Sequence, residues 1–334
     1  MQAVLIEGDG VGPEVVRAAV AAVEATGVDV EWEEAPAGWS AHERYGHPAP
    51  ASTLDAVRRV GAALKGPFYT PSGGAVRSAN FYFRHDLDLY ACVRPIESLD
   101  GDVDVLLVRE NVEDLYGAVE WTAAPGIAHA VKIATRRGSR RIAEFAFDLA
   151  ARRGRGRVTV VHKANNLKLT EGLFLETARA TAANYPRIEL DDLLADAAAA
   201  ELVSSPQTFD VLLTSNSFGD LLANVGAAVV GSLGVVPSLN EGSECVVVEP
   251  GHGSADELAG TGRANPLATI AAAGMMLERL SHTLEAEALR AAVHAVRAEG
   301  LVTPDLGGDA TTSEVATEVC RRIARFETLV PATA

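Results

Sequence analysis

A chain of 334 residues with 48% hydrophobic content can bury a large core, enough for two domains or one large α/β domain. Its formal net charge of -16 repels phosphate backbones, so nucleic acid is not an expected partner. Three scattered cysteines, Cys92, Cys245 and Cys320, fit a reducing cytoplasm, and neither a signal peptide nor an apolar run of roughly 18 residues that would span a membrane is present.

In chain order, AVLIEGDG reads as a strand ending in glycines. It leads into PEVVRAAVAAVEATG, an amphipathic helix with Pro13 in its first turn and Gly27 past its end. The GDGVGPE turn between them departs from the G-x-G-x-x-G dinucleotide pattern, so a tight strand-to-helix turn is the plainer reading. At 73–84, GGAVRSANFYFR places Arg77, Ser78, Asn80 and Arg84 after two glycines. These side chains suit either a solvated edge or a loop that holds a multiply charged acid. The runs VDVLLVREN, RVTVVHKAN, FDVLLTSNS and CVVVEPGHG are apolar and β-branched, each followed by polar residues and then a helical stretch. That is the pattern of a mainly parallel sheet covered by helices. In such sheets ligands gather where strand carboxyl ends pass into loops. The clusters Arg109-Glu110-Asn111, His162-Lys163-Ala164-Asn165, Ser215-Asn216-Ser217 and Glu249 to Gly253 fall there. The basic run ARRGRGR reads as a solvated helix end.

Several of these segments carry residue types suited to acid–base and metal chemistry. Only four of the positive side chains are lysines. Arginine keeps its proton near neutral pH, whereas a partly desolvated lysine can release one, so Lys163 at a strand end is a candidate base or else a surface lysine. In ENVEDLY, Tyr116 follows an acidic turn and is either a proton donor or a packing residue. FGDLLAN sets Asp220 and Asn224 on one helix face, and Asp196 opens another helix. Such oxygens suit Mg²⁺ or Mn²⁺, or serve as helix caps. The glycine-rich EPGHGSADELAGTGRANP begins at a strand end, where backbone N–H groups can hold a pyrophosphate.

Taken together, GPFYTPSGGAVRSANFYFR, LDLYACVRP, VRENVEDLYG, VHKANNLKLTEGLFLE, TSNSFGDLLAN and EPGHGSADELAGTGRANP occur in the order found in the β-decarboxylating dehydrogenases. The chain resembles the isocitrate, homoisocitrate and 3-isopropylmalate dehydrogenases from IEGDGVGPEVV to TPDLGGDATT, closest to the isocitrate-type branch. That resemblance implies an α/β, isopropylmalate dehydrogenase-like two-domain fold with a central mixed, largely parallel sheet. Residues 1–89 and 232–334 would form the large cofactor-side domain, and 90–231 a small domain with the dimer interface and a clasp-like arm around 118–131. It further implies a cytoplasmic homodimer with shared active sites and no membrane partner, in which Lys163 and Asp196 come from the neighbouring subunit.

By the same resemblance, Arg84, Arg94 and Arg109 bind the carboxylates of a malate-type substrate, Lys163 takes the hydroxyl proton and Tyr116 reprotonates the enol carbon. Asp196, Asp220 and Asn224 would hold Mg²⁺ or Mn²⁺. Ser78 and Asn80 would bind a distal anionic group on the substrate. Thr70, Asn165, His252, Gly253, Ser254, Ala255, Glu257 and Asn265 would bind NAD, with Glu257 set against the adenosine ribose, where it would repel the extra phosphate of NADP. Arg263 nearby could instead reach that phosphate.

Three positions depart from the family pattern. Asn224 stands where an aspartate is usual, which removes a negative charge beside the metal and suits a tolerant metal site, a more anionic substrate such as 3-phosphonomethylmalate, or a non-catalytic regulatory homologue. Gly251 replaces a valine and Asp256 a proline, which implies a looser cofactor loop.

Overall fold

The computed structural model describes residues 1–74 and 76–329, with side chains to Arg325. From the amino terminus, β1 (Gln2–Ile6), α1 (Gly12–Glu24), β2 (Glu31–Glu34), α2 (Trp39–Tyr45), α3 (Ala51–Val60), β3 (Ala62–Lys65) and α4 (Ala79–Asp86) follow in turn. The middle of the chain supplies β4 (Ala91–Glu97), β5 (Asp104–Glu110), a 3-10 turn Asp114–Gly117, β6 (Glu120–Ala124), β7 (Ile127–Ala130) and α5 (Arg136–Arg152). It continues through β8 (Arg157–His162), α6 (Thr170–Ala182), β9 (Glu189–Leu194), α7 (Ala195–Ser204), β10 (Val211–Thr214) and α8 (Asn216–Val229). The last part holds β11 (Pro237–Glu241), β12 (Val246–Pro250), α9 (Leu267–Arg279), α10 (Thr283–Ala298) and α11 (Thr312–Leu329).

Two compact units result: Met1–Leu87 with the chain from Gly231 onward, and Asp88–Val230. In the first, the strand order is β2-β1-β3-β12-β11. All neighbours are parallel except the β11–β12 hairpin. Strand β3 is buried along its whole length, as expected of a parallel strand covered on both faces. Helix α1 packs on α9 and α11 and buries Val15, Val16, Ala19 and Val23, and burial of side chains of this size contributes about 1.5–3 kcal/mol for each large one.

The GDGVGPE turn is structural. The Asp9 carboxylate accepts the backbone N–H groups of Trp39 (2.7 Å), Ser40 (3.2 Å) and Tyr69 (2.9 Å). Gly10 has a φ of +57°, and a Cβ there would lie 2.0 Å from the Ser254 carbonyl. The Val11 N–H donates to the same carbonyl at 2.9 Å. This turn therefore buttresses the 251–256 loop, a contact that only glycine permits.

In the second unit the order is β4-β5-β10-β8-β9. Strands β5, β10, β8 and β9 are parallel, while β4 runs antiparallel to β5. After β5 the sequence pattern predicts a helix. The chain instead makes the 3-10 turn and the exposed β6–β7 hairpin, and helix comes only with α5. Glycine and a broken apolar pattern in AVEWTAAPGIAHAV allow a hairpin but give no helical stripe. Among the described residues, no helix is long and apolar enough to cross a membrane.

Candidate active site

In the first unit, Ser78 caps α4: its Oγ accepts the Asn80 N–H at 3.2 Å and the Thr70 hydroxyl at 3.0 Å. Asn80 and Arg84 lie one turn apart on that helix, both half-buried. The Arg84 charge acts on Glu249 at the end of β12. Glu249 is ion-paired with the buried Lys65 and accepts from Asn240 Nδ2 at 2.8 Å. Burial alone would raise its carboxyl, but Lys65, Arg84 and these hydrogen bonds hold it at about 2. Burial lowers the Lys65 ammonium against the pull of Glu249.

The 251–256 loop does not loosen at Gly251. Its N–H donates to the Val236 carbonyl at 2.8 Å, and a Cβ would also stand 2.8 Å from that oxygen. Glycine lets two strands approach closely here, where a valine would have to push them apart. Gly253 and Glu257 are exposed, Ser254 is buried and Ala255 takes a left-handed φ of +41°. His252 Nδ1 faces the Gly253 carbonyl at 2.9 Å, so that nitrogen carries the proton. Burial pushes the imidazole below its ordinary range and leaves Nε2 an acceptor without a partner. An unmet acceptor at a glycine-rich strand end suits a donor from a nucleotide. Asn265 is engaged at both ends of its amide: Oδ1 accepts the Leu267 N–H and Nδ2 donates to Asp305, each at 3.0 Å.

In the second unit the sheet register brings β5 beside β10, and so sets Arg109 opposite Thr214. Arg109 is fully buried. Its Nε and Nη2 donate to Asn216 Oδ1 at 3.0 and 2.7 Å, and its Nη1 pairs with Asp220. The Tyr116 hydroxyl donates to the other Asp220 oxygen at 3.1 Å, and its ring lies 5.6 Å from the guanidinium carbon. Gly219 permits this approach, because a Cβ would meet Arg109 Cγ at 2.7 Å. Asn224 follows one turn after Asp220 and donates from Nδ2 to the Asp220 carbonyl at 2.8 Å, so any ligation by this side chain would use the neutral Oδ1. Arg94 is buried in β4.

Lys163 and Asp196 form a separate pair. The hydrogen bond from Lys163 holds the Asp196 carboxyl below its usual range. Asn165 is exposed in the same turn. Asp220 and Asn224 share one face of α8, while Asp196 stands in the first turn of α7. Among the described residues no group of three His, Cys, Asp or Glu side chains could hold a metal ion. The two oxygen donors on α8 fit part of the shell of a hard cation.

Sequence reasoning did not single out Lys65, Lys132 or Glu171, and it placed Asn216 only within a polar cluster at a strand end. The scarcity of lysine was a usable signal: Lys65 and Lys132 are both largely buried in ion pairs, whereas Lys168 is exposed.

A parallel-sheet α/β protein with a tyrosine, a lysine, buried arginines and hard oxygen donors at strand ends has the equipment of a dehydrogenase for anionic hydroxy acids. A model of the isocitrate/isopropylmalate dehydrogenase family matches residues 2–319, and the chain belongs to that family of decarboxylating dehydrogenases. It is 41% identical over 330 residues to the 3-isopropylmalate dehydrogenase of Methanothermobacter thermautotrophicus, covering 97% of this chain and 98% of that one. It is 40% identical over 326 residues to the NAD isocitrate dehydrogenase catalytic subunit 5 of Arabidopsis thaliana, covering 95% and 87%. The crystal structure of isocitrate dehydrogenase from Methylococcus capsulatus superposes with a TM-score of 0.94 at 43% identity, over 97% of this chain and 99% of that one. Relatives of nearly equal identity act on different malates, so individual residues must choose the substrate.

Proposed function

We propose that the protein is an NAD-dependent, Mg²⁺- or Mn²⁺-dependent enzyme that oxidatively decarboxylates a 3-substituted (2R)-malate with an anionic side chain, isocitrate or homoisocitrate. The observation that carries this reading is the start of α4. Ser78 caps the helix with an oxygen that already accepts two hydrogen bonds, so its own hydroxyl hydrogen is left to donate. Asn80 and Arg84 add further donors along the same helix. Polar donors spread along one short helix, from the Ser78 cap to Arg84 in its last turn, suit a carboxylate and disfavour an isopropyl group.

In this reading Arg84, Arg94 and Arg109 hold the substrate carboxylates. Lys163 Nζ accepts the C2 hydroxyl proton as hydride passes from C2 to the nicotinamide. Loss of CO₂ leaves the bonding pair on C3 as an enol, and Tyr116 delivers a proton to that carbon. Asp220 and Asn224, with Asp196, would hold the divalent ion, which would supply positive charge to stabilise the substrate's developing oxyanion. His252 Nε2 and the loop that follows would hold NAD, with Glu257 near the ribose. In a homodimer, Lys163 and Asp196 would serve the second copy's site.

The test is NADH formation with Mg²⁺ or Mn²⁺ on isocitrate, homoisocitrate, 3-isopropylmalate, D-malate and 3-phosphonomethylmalate. Isocitrate or homoisocitrate should lead 3-isopropylmalate in kcat/KM by on the order of 100-fold. Preference for 3-isopropylmalate would sink the anionic reading. Preference for the phosphonate would make Asn224 a charge adjustment. Binding without turnover on any member would point to a regulatory homologue.

A further inference from the structure

A small cavity in the second unit is lined by Glu110, Asp114, Lys132, Ser139 and Glu171. Lys132 lies just after the β6–β7 hairpin and is nearly buried, with 11% of its side chain exposed. Its ammonium pairs with Asp114 on one side and with Glu171 Oε1, 3.0 Å away, on the other. The Phe218 ring centroid is 5.2 Å off.

Each carboxylate in turn grips a segment that bears a proposed catalytic group. Asp114 opens the 3-10 turn that carries Tyr116. It adopts a φ of +72°, a left-handed conformation that is strained for a non-glycine residue. The side chain offsets this by accepting the Leu115 N–H at 2.7 Å and both the N–H (2.9 Å) and the hydroxyl (2.7 Å) of Ser217. Burial raises the Asp114 carboxyl, but Lys132 and Ser217 bring it below its ordinary range. Ser217 stands in the first turn of α8, which bears Asp220. On the other side, Glu171 Oε2 accepts the Lys163 N–H at 3.0 Å.

We propose that Lys132, clamped between Asp114 and Glu171, is a positioning residue that sets both the proton donor Tyr116 and the base Lys163. The inference rests on the roles proposed above for these two side chains. A buried ion triad adds little net stability over apolar packing, because desolvation offsets the Coulomb attraction. It does impose a single geometry. Here that geometry joins two turns that lie in different strand-end loops, one after β5 and one after β8. Removal of the ammonium would leave two buried carboxylates in mutual repulsion and push the turns apart.

Lys132→Met should lower kcat on the order of 100-fold with KM changed less than about threefold, the effect of misplacing a catalytic group by about an ångström. Lys132→Arg should recover at least about tenfold of that loss, since it keeps the charge. The two arms should separate. Glu171→Gln should slow the oxidation and raise the isotope effect of C2-deuterated substrate. Asp114→Asn should leave that isotope effect unchanged and slow proton exchange at C3 of the 2-oxo acid product. Equal depression of both steps in every variant, with no recovery in Lys132→Arg, would mean a scaffold role only and would overturn the proposal.

Hydrogen exchange decides the matter without turnover. In Lys132→Met, amides of 114–118 and 163–171 should exchange at least about tenfold faster while the rest of the unit is unchanged. Unchanged exchange in both segments overturns the proposal. If the wild-type chain turns over no malate, the functional reading fails, yet the exchange result still stands for the triad. Should Lys132→Met fail to fold, Glu171→Gln keeps the side-chain shape and an acceptor for the Lys163 N–H, and it is expected to free 163–171 alone.

Discussion

The two units each bury a glutamate at the end of a sheet strand, Glu249 in β12 and Glu110 in β5. Their exposure is nearly the same, 5% and 4%, yet their acidities diverge. Glu249 has Lys65 against it and Arg84 nearby, and is held at about 2. Glu110 accepts two backbone N–H groups, from Val112 and Glu113, each at 2.9 Å. Burial still pushes it up to about 7, with Glu113 and Asp114 adding to the rise. Burial by itself therefore does not decide the charge of a strand-end carboxylate; the nearest cation does. The second unit has a buried lysine too, but Lys132 is committed to Asp114 and Glu171.

The largest way to break the contrast is Lys65→Met. It strands Glu249 without its cation and should cost about 3–5 kcal/mol in urea unfolding, as loss of one member of a buried ion pair does. A cost below about 1 kcal/mol would show that Arg84 and Asn240 suffice without the pair.

Next in size is the pH dependence. The folded-state carboxyl of Glu110 lies near 7 against an ordinary 4.5, so between these values the folded chain binds the extra proton. Its contribution is full below about 4.5 and is lost as pH rises through 7, about 3 kcal/mol in all. Glu249 runs the other way: its contribution is present above about 4.5 and is lost as pH falls toward 2. Urea midpoints at pH 5 and pH 8 for wild type and Glu110→Gln should differ in slope, flatter in the variant. Parallel slopes would remove Glu110 as the source.

Smaller effects sharpen the picture of the first unit. Gly251→Val adds a Cβ 2.8 Å from the Val236 carbonyl and should cost about 1–3 kcal/mol. If stability instead rises, the close strand approach is not needed. Ser78→Ala removes the α4 cap and should cost about 1 kcal/mol. If the proposed substrate reading holds, it should also raise KM for isocitrate more than for D-malate. Equal changes in the two KM values would confine Ser78 to capping.

Much of the fold was legible in local pattern. The apolar β-branched runs became β5, β8, β10 and β12, and Pro13 and Gly27 bracket α1 as expected. Strands β4 and β11 gave no such signal. Pro95 interrupts ACVRPIE, and PSLNE starts with proline and is short and half polar, features that demote a run in any reading of β periodicity. Antiparallel pairing to β5 and β12 supplies what local preference lacks. The site was legible as residue types at strand ends. Its support was not: Asp114 reads as one acid in an acidic turn, and its partners Lys132 and Ser217 come from distant segments.

By itself the sequence determined the family, the α/β alternation and the strand-end clusters, because these rest on spacing along the chain and on side-chain chemistry. Only the tertiary structure decided which charges meet. Parallel register of β5, β10 and β8 puts Arg109 against Asp220, 111 residues away. The same packing gives Lys132 two carboxylates and leaves Glu110 none of that charge. In a buried, low-dielectric setting a few ångströms of separation decide whether a carboxylate is ionised, and no local pattern along the chain encodes that distance.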